Sequence, residues 1–315
     1  MPDIVVLRED VHGIPIDEYA TAIRERLPDH EVVVARTPAE ERDLVARTTV
    51  VTGLQLREEF LREDASPRLF GCLYAGYDHL PLAALREHDV AVTTASGVHA
   101  PNMSEHVVGA ILAFARAFPT AWRQQDRREW RHIQSRELAD TTVTVVGLGA
   151  IGRATVEALS GFDVHTIGIR RTPDRGGPTD EVLGPDSLHD ALARTEYLVL
   201  ACPLTEETEG LISTEEFATL PPEAVLVNVA RGPVVDTEAL VTALQHESLR
   251  GAQLDVTDPE PLPQDHPLWG LDNVFLTPHS AGYSPKYYEA RADILAANVS
   301  QAEETGKYET LQNQI

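Results

Sequence analysis

Between residues 142 and 160 a β-branched apolar stretch, Thr142-Val143-Thr144-Val145-Val146, runs into Gly147-Leu148-Gly149-Ala150-Ile151-Gly152. It leaves through a segment with Ala154, Val156, Ala158 and Leu159 at helical spacing. No other part of the chain restricts the fold as tightly. An apolar run without polar alternation suits a strand buried on both faces, as in a parallel sheet. Strand, glycine turn and helix in that order predict a doubly wound α/β domain whose turn holds a dinucleotide. Gly147 permits the turn, Gly149 lets the backbone approach a pyrophosphate with no Cβ in between, and Gly152 allows the helix to pack closely on the strand. All six residues from Gly147 to Gly152 are therefore expected at the pyrophosphate, where the helix N-terminus offers free N–H groups and a partial positive charge. A bare glycine turn would explain the three glycines, but not the strand and helix around them.

The tip of the next strand discriminates between cofactors, because an acidic residue about 20 positions on would hold the ribose 2′-hydroxyl of NAD. Val164-His165-Thr166-Ile167-Gly168-Ile169 ends instead in Arg170-Arg171-Thr172-Pro173. Two guanidinium groups suit a 2′-phosphate, to which they can donate paired, charge-assisted hydrogen bonds. NADP(H) is favoured over NAD(H), with two solvated arginines as the plainer alternative.

Three further residues follow strand-like runs. Arg231 comes after Val225–Val229, Glu260 after Ala252–Asp255 and His279 after Val274–Leu276. Each alone would be an ordinary loop charge. Ligands of open α/β sheets bind outside the carboxyl ends of the strands, so together they predict a site that grips a carboxylate and moves a proton.

The chain resembles the D-isomer-specific 2-hydroxyacid dehydrogenase family, in its glyoxylate/hydroxypyruvate reductase-like branch. The resemblance rests on Leu73-Tyr74-Ala75-Gly76-Tyr77-Asp78, Gly147 to Gly152, Cys202-Pro203-Leu204-Thr205, Asn228-Val229-Ala230-Arg231-Gly232, Asp255 to Pro263 and Thr277-Pro278-His279-Ser280-Ala281-Gly282, in the family's order. It implies that Arg231 binds the substrate carboxylate through its planar fork, that His279 is the acid/base, and that Glu260 orients the imidazole. It also implies that Asp255 holds the nicotinamide carboxamide and that Cys202-Pro203 passes over the adenosine. Val229, Ala230, His279 and Ala281 then line the cofactor, and Tyr74, Ala75, Gly76 and Asn102 the substrate, a small 2-keto or 2-hydroxy acid. A rival implication is a corepressor-like protein that binds the cofactor as a sensor without turnover. Glu260 speaks against the formate-oxidising branch, which has Gln beside its His.

Before residue 95, apolar stretches at Ile4–Leu7, Val32–Ala35, Val50-Val51, Leu69–Leu73 and Val90–Val92 alternate with helix-compatible segments such as Asp17–Leu27 and Arg57–Glu63. This alternation predicts a second parallel sheet. The expected fold is thus two Rossmann-like, doubly wound parallel-sheet α/β domains with an active-site cleft between them. Residues 1–98 with 283–315 form the substrate domain, and residues 99–282 form the dinucleotide-binding domain. A long helix is predicted from about Met103 to Phe118. Its stripe of Met103, Val107, Ala110, Ile111, Phe114 and Phe118 suits ordinary core, whereas the resemblance implies that the helix, with the arm carrying Trp122 and Trp130, forms much of the contact of a homodimer.

Composition sets the surroundings. The net charge is −24, and only Lys286 and Lys307 are lysines. Acidic self-repulsion of this size is a device of halophilic proteins, which rely on salt to screen it. The charge argues against nucleic acid and anionic membranes as partners. Two cysteines make no disulfide framework, and neither has the spacing of a metal ligand. No apolar run approaches the length of a membrane span and no signal-peptide start is visible, so a soluble, cytoplasmic protein is expected.

Overall fold

The computed structural model describes residues 2–11, 13–61, 67–77 and 79–315. The chain divides into two compact units, one of residues up to His99 together with Tyr283–Ile315, the other Ala100–Gly282.

In the first unit, β1 (Ile4–Val6), β2 (Val32–Val34), β3 (Val50–Gly53), β4 (Leu69–Cys72) and β5 (Ala91–Thr93) form one parallel sheet in the order β2-β1-β3-β4-β5. Ile4, Val5 and Val6 are all fully buried, because helices α1 (Ile16–Arg26), α2 (Pro38–Val45) and α3 (Leu82–Glu87), with the C-terminal helix Tyr287–Thr305, leave neither face of the sheet to water. The Thr37 side chain caps α2 by accepting from the Glu40 N–H, with Pro38 preset for the first turn. Of the helical segment expected over 57–63, only Glu58–Phe60 forms, as a single 3-10 turn. Of the described residues of that segment only Phe60 and Leu61 are buried, adjacent rather than at helical spacing, so no apolar face extends the turn. Arg62 and Glu63 lie outside the described residues.

The second unit opens with α4 (Ala100–Ala115), which ends three residues earlier than the sequence suggests. Ala117 turns the chain at φ +55°, and α5 (Phe118–Asp126) starts anew with Pro119 in its first turn. Pro119 cannot continue the preceding helix, because it lacks the N–H and its ring crowds the earlier turn. Met103, Val107, Ala110 and Ile111 are core, packed with Val156 and Leu159 of the next helix, whereas Phe118 is about half exposed.

Then follow β6 (Thr142–Val146), α6 (Ala150–Leu159), β7 (His165–Ile169), β8 (Glu181–Leu183), α7 (Leu188–Leu192), β9 (Tyr197–Leu200), α8 (Thr214–Thr219), β10 (Val225–Asn228), α9 (Thr237–Gln245), β11 (Gly251–Leu254) and β12 (Val274–Leu276). The sheet order is β12-β11-β10-β9-β6-β7-β8, parallel throughout. Strand order reverses between β6 and β9, which is where a doubly wound sheet opens a crevice at its carboxyl edge.

The last helix, α10 (Tyr287–Thr305), returns to the first unit. Tyr288 stacks on Tyr19 of α1 with ring centroids 5.2 Å apart. Among the described residues no helix is long and apolar enough to cross a membrane.

Candidate active site

Because all seven strands of the second sheet are parallel, their carboxyl ends share one edge. Along that edge lie the loop with Arg170 and Arg171 after β7, the glycine turn after β6, Cys202-Pro203 after β9, Arg231 after β10, Asp255 and Glu260 after β11, and His279 after β12.

The glycine turn is dictated by contact as well as by conformation. Gly147 has φ +99°, and a Cβ there would stand 2.7 Å from the Ala201 carbonyl and the Cys202 Cα. A Cβ on Gly152 would lie 1.9 Å from the Gly147 carbonyl oxygen, so helix and strand meet backbone to backbone. Gly149 differs, since nothing lies within 4 Å of the position its Cβ would take. Gly149 also begins α6 without a side-chain cap, which leaves the N–H groups of the first turn for an anion. Ala150 is exposed and Ile151 half-buried, while Leu148 is buried behind the turn, its side chain against Gly168 and Gly177. An uncapped helix end facing open space at a switch point fits a dinucleotide pyrophosphate.

The two arginines at the β7 tip have different surroundings. The Arg170 guanidinium donates to the Gly176 carbonyl at 2.5 Å and is half-buried. Arg171 projects into solvent, with Glu207 3.9 Å away. Cys202 is buried, which pushes its thiol pKa up. Pro203 beside it is exposed, and its carbonyl accepts from Thr208 Oγ1 at 2.6 Å.

At the other end of the edge, Glu260 Oε1 and His279 Nδ1 are 2.6 Å apart. Both side chains are partly open to water, His279 at 49% and Glu260 at 40%. His279 has φ +50°, a left-handed backbone that costs a non-glycine residue about 1–3 kcal/mol and persists only where the surroundings enforce it. Here the enforcement is visible. The His279 N–H donates to the carbonyls of Asp255 at 2.8 Å and Thr277 at 3.0 Å. The buried Asp255 carboxylate accepts from Thr277 Oγ1 at 2.6 Å, from the Ser280 N–H at 2.9 Å and from the Ala281 N–H at 3.0 Å. Asn102, in the first turn of α4, closes the same turn by donating from Nδ2 to the Ala281 carbonyl at 2.7 Å.

Arg231 is exposed, and its Nη1 donates to the Ala230 carbonyl at 2.7 Å. The turn that presents it is shaped by Asn228, whose amide accepts from the Ala230 N–H at 3.0 Å and donates to the Arg231 carbonyl at 3.1 Å. Val229 and Ala230 are buried beneath it. Glu260 and His279 are thus in direct contact, while Arg231 shares their sheet edge one strand further along.

In the first unit, Tyr74, Ala75 and Gly76 follow β4, and the Tyr74 carbonyl accepts from the Ala95 N–H at 2.9 Å. Tyr74 is partly exposed, and Gly76 has open space where a Cβ would be. Asp78 lies outside the described residues. The Leu73 carbonyl, just before this loop, accepts from the Tyr287 hydroxyl. One turn further along α10, the fully buried Arg291 donates from Nη1 to the Thr94 carbonyl at 2.9 Å. Sequence reasoning missed these two α10 residues. It also gave no role to Asn228 or Thr277, although both lie inside segments that carried the resemblance.

A doubly wound parallel sheet with a glycine turn that fits a pyrophosphate, and a Glu–His couple on the same edge, defines a Rossmann-type α/β protein. The family model described as "D-isomer specific 2-hydroxyacid dehydrogenase, NAD binding domain" matches residues 108–281. The chain belongs to the D-isomer specific 2-hydroxyacid dehydrogenase family, a family of oxidoreductases. It is 36% identical over 248 residues to the glyoxylate reductase of Thermofilum pendens, covering 75% of this chain and 72% of that one. To the glyoxylate/hydroxypyruvate reductase B of Yersinia pestis it is 29% identical over 309 residues, covering 93% and 92%. Among solved structures, a D-isomer specific 2-hydroxyacid dehydrogenase from Xanthobacter autotrophicus in complex with NADPH and MES superposes with a TM-score of 0.80, at 30% identity, over 100% of this chain and 98% of that one.

Proposed function

We propose that the protein is an NAD(P)H-dependent D-2-hydroxyacid dehydrogenase that reduces a small 2-keto acid at carbon 2, with NADP(H) favoured. The observation that carries this reading is the 2.6 Å contact of Glu260 with His279 on the edge that also bears the glycine turn. When bound, the reduced nicotinamide supplies the hydride. Gly147 to Gly152, Arg170, Arg171, Cys202, Pro203, Val229, Ala230, Asp255, His279 and Ala281 are the residues assigned to hold the cofactor.

The remaining chemistry belongs to the protein. Arg231 grips the substrate carboxylate through its fork, and the loop Tyr74–Gly76 and Asn102 are assigned to the substrate as well. Glu260 takes the Nδ1 side of the imidazole, so Nε2 is the nitrogen left to give a proton to the keto oxygen and to take it back in the oxidative direction. The left-handed turn held by Asp255 keeps that ring in place without help from the substrate.

Two of the relatives above are named for glyoxylate reduction, so glyoxylate is the first substrate to test, with NADPH and with NADH. Loss of reduced-nicotinamide absorbance on adding glyoxylate or a larger 2-keto acid supports the proposal. Cofactor binding without turnover of any acid in the panel would place the protein among sensing modules instead. Replacing Arg170 by Asp should move preference toward NADH, because a carboxylate at the β7 tip accepts from a ribose hydroxyl and repels a 2′-phosphate. An unchanged ratio of kcat/KM for the two cofactors would locate the 2′-phosphate elsewhere.

The acidic surface reads as halophilic. The melting midpoint is expected to rise with potassium chloride toward 1 M, where the Debye length falls to about 3 Å. A midpoint indifferent to salt would mark an ordinary acidic enzyme. Phe118, Trp122 and the almost fully exposed Trp130 read as the contact of a homodimer, since a soluble surface rarely leaves such aromatics uncovered.

A further inference from the structure

Behind the His279 turn, a chain of polar side chains runs through the second unit to a histidine that the chemistry above does not use. Gln253 of β11 is completely buried, in a strand whose other side chains are apolar or absent. Its Nε2 lies 3.0 Å from Thr277 Oγ1 and 3.0 Å from Nε2 of His106, a half-buried residue of α4. Its Oε1 is buried with no hydrogen-bond partner among the described residues. A buried amide that leaves its oxygen unpaired is unfavourable, so its place in the strand calls for a reason.

The donors and acceptors along the chain can each be assigned. Asp255 Oδ1 accepts from the N–H groups of Ser280 and Ala281, so it also acts as an acceptor toward Thr277. Thr277 therefore donates its only hydroxyl proton to Asp255 at 2.6 Å. Facing Gln253, the same hydroxyl oxygen can only accept, which requires the amide nitrogen of Gln253 to be the atom beside it. The second proton on that nitrogen then points at His106 Nε2, which must accept it. This arrangement needs the His106 tautomer with its proton on Nδ1.

We infer that His106 and Gln253 are positioning residues for the acid/base, acting through Thr277 and Asp255 on the turn that holds His279 in its left-handed conformation. The inference rests on the reading of His279 as the proton carrier. With the lock made, the Thr277 hydroxyl has one orientation and Asp255 keeps its oxygens on the turn's N–H groups. Without it, Thr277 is free to rotate away and the turn loses one of the constraints that oppose relaxation of φ at residue 279. The imidazole then samples positions off the keto oxygen, which lowers kcat and leaves the glycine turn untouched.

The test uses the whole protein with glyoxylate and NADPH or NADH as probes, alongside His279→Ala. Gln253→Leu and His106→Leu should each lower kcat by about tenfold with KM for the cofactor nearly unchanged, as expected for a small misplacement of a catalytic group. His106→Gln, whose amide oxygen can accept where Nε2 did, should restore most of the loss. Wild-type kcat in both leucine variants, with His279→Ala inactive, would overturn the inference and leave the acid/base assignment standing. Full turnover in His279→Ala would remove both. Neutron diffraction from the unaltered protein locates the proton directly, whatever the activity and folding of the variants. Hydrogen on His106 Nδ1 and none on Nε2 supports the lock, and hydrogen on Nε2 refutes it.

Discussion

Replacing His279 by alanine should lower kcat by about 10²–10⁴, the usual contribution of a positioned general acid, while the affinity for cofactor, which many other residues are assigned to hold, falls far less. The two effects separate because of where the side chain lies. About half of it faces water, so its removal opens no cavity in the core. The hydrogen bonds that build its turn come from the backbone of residue 279 and from Asp255, and truncation leaves them in place. Glu260 loses its partner but is itself partly solvated, so no charge is left buried. Single-turnover kinetics with saturating cofactor, set beside a binding titration, would measure both quantities. An unaltered kcat would mean that the proton comes from another group.

The second large effect is on folding. Gly152→Ala should destabilise the protein by about 3 kcal/mol, at the upper end for overpacking, because the added methyl would sit 1.9 Å from the Gly147 carbonyl oxygen. Neither partner in that collision is a flexible side chain. Helix α6 has to lift from β6, and the turn must deform with it. For a unit of this size such a loss corresponds to roughly 6–12 °C in the melting midpoint. Gly149→Ala is the informative comparison, since its methyl meets no protein atom within 4 Å and its backbone, at φ −77°, accepts alanine. That variant should melt with the unaltered protein and bind the cofactor more weakly. Equal melting of all three proteins would show that the contact at Gly152 relaxes without consequence, and equal cofactor affinity would move the pyrophosphate off the turn.

What the sequence allowed to be read, and what it hid, follows from how local each signal is. Strand, glycine turn and helix are adjacent in the chain, and the three glycines differ in environment as their spacing suggests. Glu260 and His279 each follow a strand-like run, but it was the resemblance of the segments carrying them that implied their pairing. The break between α4 and α5 was also written locally, in Pro119, although the apolar stripe running on to Phe118 argued the other way. Contacts between distant segments left no such trace. His106 and Gln253 are separated by 147 positions. Arg291 looks like any helix-surface charge until α10 is docked on the first sheet. Nor does sequence show that Arg170 donates to the Gly176 carbonyl, a bond that depends on how the loop after β7 folds back.

The return of α10 to the first unit has a consequence for how the polypeptide is made. Tyr287 and Arg291 bind the carbonyls that end β4 and β5, Thr93 bridges to Gln314, and the Ile315 N–H donates to the Val92 carbonyl. All of these partners are translated after the entire second unit. The amino-terminal sheet therefore leaves the ribosome first but is completed last, and its apolar strands remain a nascent, half-covered surface while the nucleotide-binding portion folds behind them. Synthesis thus places the need for chaperone protection at the front of the chain.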